Sequence, residues 1–212
     1  MTEAGNKLAP SEWRDLCARI SRTLQDDVEW FGKIVQRYDE PHRRYHNQEH
    51  IAHCLAEFRA APKLAENPAE VELALWLHDV IYDPKKPDNE EQSAEFAREL
   101  CREARTEDWR VVKLILATKH SAAPLTEDER LVVDIDLAIL GQDEDRFWRY
   151  EREIREEYAF VPEDVFRTKR AEILEKFLER ERIYATDFFF GKYEETARRN
   201  LRESIRQLRA PR

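Results

Sequence analysis

Leu73-Ala74-Leu75-Trp76-Leu77-His78-Asp79 is the stretch from which the chain is read. An apolar run ends in two adjacent metal-binding side chains. The run anchors a helix in a core, and the spacing predicts that helix over 69–81. His78 offers an imidazole nitrogen and Asp79 a carboxylate, both ligands for divalent cations. Neighbours on a helix point about 100° apart, so one ion serves both only at the rim of the core. The alternative for the dipeptide alone is a buried histidine capped by its neighbour.

The composition sets the frame. The chain has 212 residues, 42% hydrophobic and 38% charged, with only four glycines. This favours helix over sheet, and the length suffices for a sizeable core. The net charge of −9 argues against a nucleic-acid duplex as partner. No run reaches the roughly 18 apolar residues of a membrane span, and Met1 to Pro10 hold no signal-type apolar segment. A cytoplasmic location is expected. Cys17, Cys54 and Cys101 are an odd number, widely spaced, and read as reduced core thiols.

Working outward, Ser11 reads as an N-cap for a helix through Trp13, Leu16, Ile20 and Leu24. Val28, Phe31, Ile34, Val35 and Tyr38 continue the apolar face. Four of the six histidines lie close together: His42, His46, His50 and His53. A helix to about Ala60 would set His46 and His50 four apart on one side. His42 and His53 read as capping or solvent residues. After the central helix, Asn89 reads as the N-cap of the next one, and the loop before it falls within reach of Asp79. Trp109 to His120 is a further apolar helix. Thr126 and Glu129 fit a capping box, opening a helix to Leu140 with Gly141 as its C-cap. Asp134 and Asp136 are carboxylates within that apolar segment. An unpaired buried carboxylate is costly, so at least one needs a cation or an arginine. Helical spacing recurs after Asp143, with Phe188-Phe189-Phe190 read as a corner at Gly191. The expected fold is all-α: one domain over 1–212, a helical bundle of about eight to ten helices, with the motif-bearing core at about 45–141.

The order His50, His78-Asp79, then Asp136 on an apolar segment resembles the HD-domain superfamily of metal-dependent phosphohydrolases. Tyr45-His46-Asn47-Gln48-Glu49-His50 is similar to a segment of the cyclic-nucleotide phosphodiesterases, a branch of that superfamily. Leu75 to Asp83, Asn89-Glu90, Ser93-Ala94, Asp136 to Gly141, Arg155 with Tyr158, and Ala197 to Leu201 resemble a bacterial family of predicted HD-type phosphohydrolases. The chain is shorter than the phosphodiesterase domain and lacks its purine-clamping glutamine, so cyclic-nucleotide specificity is not implied.

The resemblance implies His50, His78, Asp79 and Asp136 as ligands of a divalent ion (Mn, Fe, Co, Ni, Mg or Zn). Asp136 is preferred over Asp134 because Asp136-Leu137 matches the superfamily's Asp-Leu step. It further implies metal-activated water, His46 as the acid for the leaving oxygen, and Asp79 as a second catalytic group holding that water. Arg44, Lys119 and His120 are candidate phosphate contacts, His120 alternatively a second-metal ligand. The expected substrate is a small phosphate ester, a nucleotide or relative, and the C-terminal helices leave a homodimer open. Two rival readings are an HD-fold di-iron oxygenase, with His53 and His120 as the only spare ligands, and a metal- or nucleotide-binding module without turnover.

Overall fold

A computed structural model describes residues 7–21, 24 and 26–211. Residues 1–6, on which part of the N-terminal reading rests, lie outside them. Among the described residues there are ten α-helices and no strand, as the composition predicts. No helix among them is long and apolar enough to cross a membrane. The contacts divide the chain into two compact units, the first ending at Val133 and the second beginning at Asp134.

The first unit is built around α4 (Pro68–Leu77). Val71 and Leu73 through Leu77 are all buried, so beyond its opening turn this helix is enclosed on nearly every side. It packs against α1 (Pro10–Ile20), α3 (Gln48–Ala60), α5 (Asn89–Glu103) and α6 (Trp109–Ala117). Trp13 of α1 and Phe31 of α2 (Asp27–Tyr38) meet Trp76 edge-on, with ring centroids 5.2 and 6.3 Å away. Such a core is the largest stabilising term, about 25 cal/mol per Å² of apolar surface buried.

Several boundaries differ from the sequence expectation. Helix α1 starts at Pro10 after Ala9, so Ser11 lies inside the first turn rather than at the cap. Proline at the first helical position loses no hydrogen bond, because that N–H has no partner within the helix. Helix α4 ends at Leu77 instead of Ile81: a side chain takes one of its last carbonyls, and another holds the turn that follows. Tyr38 Oη donates to Trp76 O at 2.8 Å, and Arg43 donates to Asp79 O and Val80 O at 2.6 and 3.0 Å. The cap of α5 is Asp88, not Asn89. The Asn89 amide instead ties the preceding loop, accepting from Asp83 N and donating to Asp83 O, both at 3.0 Å.

The capping box on α7 (Glu127–Asp136) is present: Glu129 N donates to Thr126 Oγ1 at 3.1 Å, and the Glu129 carboxylate accepts from Leu125 N at 2.6 Å. The helix stops at Asp136 rather than Leu140, and a 3₁₀ segment, Leu137–Gly141, follows. Gly141 is no left-handed cap, since no glycine among the described residues has positive φ. A Cβ there would run into the Cβ and ring of Tyr193.

In the second unit this 3₁₀ segment packs on α10 (Asp187–Arg209), as does α9 (Glu163–Leu178). Asn200 Nδ2 donates to the carbonyls of Leu140 and Gln142, both at 2.9 Å. In α8 (Glu144–Glu157), Glu151 accepts from the buried Arg170 at 2.5 Å. The corner expected at Gly191 is absent. Helix α10 runs through it, leaving Phe189 buried and Phe188 and Phe190 exposed. The turn lies earlier, before Thr186, whose hydroxyl caps the helix on Phe189 N. Cys17, Cys54 and Cys101 are free and buried, matching the reduced-thiol reading.

Candidate metal centre

His50 comes from the first turn of α3, whose start is fixed by Asn47. The Asn47 side chain accepts from Glu49 N at 2.8 Å, and its amide donates to Arg44 O at 2.7 Å. His78 and Asp79 come from the turn that closes α4. Both histidines are 1% exposed, and the Asp79 side chain is 15% exposed. Three atoms converge: His50 Nε2 and His78 Nε2 are 3.1 Å apart, and Asp79 Oδ2 is 3.3 Å from the first and 3.1 Å from the second. Ligand atoms about 2.0–2.2 Å from a shared ion stand about 3.0–3.5 Å from one another, so the triangle fits one divalent cation.

The tautomer of His78 sharpens this. Its Nδ1 lies 3.1 Å from the carbonyl of Leu75, which can only accept, so Nδ1 carries the hydrogen. In the neutral ring, Nε2 therefore presents a lone pair toward His50 and Asp79. A backbone carbonyl in this role is the usual way a ligating imidazole is oriented. Nitrogen lone pairs and a carboxylate gathered in a largely dry site call for positive charge, either a metal ion or protons on the rings. Burial pushes the Asp79 carboxyl up. The positive charge of His78, hydrogen bonds from His50 and His78, and the charge of His46 outweigh it and hold it well below the usual range.

His46 lies outside α3, in the turn before it, so the expected helical spacing to His50 does not apply. It reaches the same place by another route. Its ring stacks on Tyr82 at 4.1 Å and stands edge-on to His50 at 5.9 Å. His42 bonds the carbonyl of Tyr82 at 2.8 Å, and His53 pairs with Glu57 at 3.6 Å, in keeping with capping and solvent roles.

The two aspartates of the second unit separate cleanly. Asp134 spends its carboxylate on the turn before α10, accepting from Ala185 N and Thr186 N at 2.7 Å and from Thr186 Oγ1 at 2.6 Å. Asp136, one of the expected ligands, closes α7 and is half-buried. Of the candidate phosphate contacts, Lys119 is engaged elsewhere, donating to Glu91 at 2.5 Å and to Pro87 O at 3.1 Å. Arg44 is exposed in the His46 turn. His120 is half-buried in a left-handed turn with φ of 54°.

Three residues gain importance from the structure. Cys54 sits one helical turn after His50, its sulfur 3.8 Å from both ring nitrogens, and with His50 and His78 it brings a ligand atom within 4.8 Å of the others. The four-residue spacing from His50 was the available signal. Glu90 has its carboxyl pushed up, first by burial and then by the charge of Asp79, which places it within electrostatic reach of the centre. Arg43, the third, carries no sequence signal.

No protein-family model, curated protein or solved structure gives a significant match to this chain.

Proposed function

We propose that the chain is a metal-dependent phosphohydrolase acting on a small phosphate ester such as a nucleotide. The observation that carries this reading is the convergence of His50 Nε2, His78 Nε2 and Asp79 Oδ2 within 3.1–3.3 Å of one another. Asp136 is proposed as the fourth ligand from its place in the motif order. Imidazole and carboxylate ligands, with the Cys54 sulfur beside them, favour Mn, Fe, Co, Ni or Zn over Mg. Such an ion, when bound, supplies a nucleophilic water at neutral pH and polarises the phosphoryl group.

The remaining chemistry falls to the chain itself. Asp79, on the accessible side of the triangle, orients the attacking water. His46, held by Tyr82, donates the proton to the leaving oxygen. The low-polarity walls from α3 and α4 strengthen these electrostatic contacts by excluding bulk water. Arg44, exposed in the same turn as His46, is the favoured phosphate contact, since Lys119 would have to leave Glu91.

Phosphate release by the metal-loaded protein tests the reading, comparing a nucleoside monophosphate with an activated aryl phosphate. Loss of a general acid costs about 10²–10⁴ in rate. His46→Asn should lose that much on the nucleotide and far less on the aryl ester, whose leaving group needs no proton. No phosphate from any ester with wild type would overturn the proposal.

A further inference from the structure

Arg43 is wholly buried at its side chain, in a chain where most arginines face water. Its guanidinium has four partners on two separate segments. Nε donates to Glu40 Oε2 at 3.1 Å. One terminal nitrogen donates to His46 O at 3.0 Å and to Asp79 O at 2.6 Å. The other donates to Val80 O at 3.0 Å. The plane is wedged between Tyr38 and Tyr82, with ring centres 5.3 and 5.6 Å away. Tyr82 is the ring on which His46 stacks.

The two segments so joined are the turn that carries His46 and the turn that carries His78 and Asp79. Neither is held by regular helix bonding at these carbonyls. The carbonyls of Asp79 and Val80 lie just beyond the end of α4, where helical partners run out. A planar fork with five donors spans the gap, and a lysine ammonium could not reach the same set. We infer that Arg43 is a positioning residue for the metal centre: it sets the backbone of Asp79 and of His46 relative to each other and so fixes the ligand triangle and its acid. It touches neither metal nor substrate.

This inference rests on the metal-centre reading and is tested with it. Apo-protein is titrated with cobalt(II), followed by the visible absorption of the bound ion, in wild type, Arg43→Lys and Arg43→Gln. Leu16→Ala, a buried α1 variant, serves as a destabilised control, and thermal unfolding of each apo-protein is recorded. Orienting partners of a metal site are worth roughly 10–100-fold in affinity. Both Arg43 variants should bind cobalt at least about tenfold more weakly, with an altered band shape, while Leu16→Ala binds as wild type does despite its lower unfolding temperature. Arg43 variants with wild-type affinity and band shape would overturn the inference and leave the metal centre standing. So would an equal loss in Leu16→Ala. A wild type that takes up no cobalt would overturn the metal-centre reading itself and Arg43's role with it.

Discussion

His78 donates its Nδ1 hydrogen to the carbonyl of Leu75 one turn earlier, 3.1 Å away, and thereby turns Nε2 toward Asp79 Oδ2. A residue of the α4 backbone thus selects the tautomer of a side chain at its end. The orientation follows from the helix stopping at Leu77.

Asp134 and Asp136 should behave oppositely when removed. Asp134→Ala leaves Ala185 N, Thr186 N and the Thr186 hydroxyl without their carboxylate. Hydrogen bonds to a charged acceptor are worth about 1.5–3 kcal/mol each, so a loss of about 2–4 kcal/mol is expected after partial rescue by water. Metal content per folded chain should not change. Asp136→Asn should do the reverse, with stability near wild type and weakened metal binding. Urea unfolding and metal analysis of the two variants read both quantities.

Asp79 gives the metal-free protein an acid limit. Its carboxyl lies well below its ordinary value of 3.8 in the folded state, the histidine contacts outweighing burial. A depressed folded-state value means the unfolded chain binds the proton more readily. The stabilisation is fully present above about pH 4–5 and is lost as pH falls toward the folded value. Unfolding of wild type and Asp79→Asn across pH 2–7 should therefore show a gap that closes at the acid end. A gap that stays constant with pH would refute the assignment.

Gly141→Ala should destabilise without touching the metal centre. The added methyl would overlap Tyr193 at its Cβ and Cγ, atoms tied closely to the α10 backbone. Overpacking of this kind costs about 1–3 kcal/mol. Chemical denaturation reads the cost, and an unchanged midpoint would show that α10 yields.

The sequence disclosed the helical fold, the buried α4 and three polar side chains, His50, His78 and Asp79, that converge, because hydrophobic runs and polar exceptions are local signals. It also favoured Asp136 over Asp134, and the Ala185–Thr186 clamp now gives Asp134 a separate task. The helix ends were less legible. At the end of α4, Tyr38 takes the Trp76 carbonyl and Arg43 holds the carbonyls of Asp79 and Val80 just beyond it; both come from distant positions, and spacing within α4 carries no trace of them. His46 joins the centre through Tyr82 rather than through α3, a contact 36 positions along the chain. Gly141 read as a cap because glycine often is one, whereas its role here is room for a tyrosine.

Metal analysis of wild type beside His78→Ala, both purified without chelator and both checked for helical content, bears most directly on the central claim. One divalent transition-metal ion per wild-type chain, missing from a folded His78→Ala, is the predicted result. A wild type that stays metal-free after soaking in Mn, Fe, Co, Ni and Zn would contradict it, and His50, His78 and Asp79 would then be a proton-bridged core cluster.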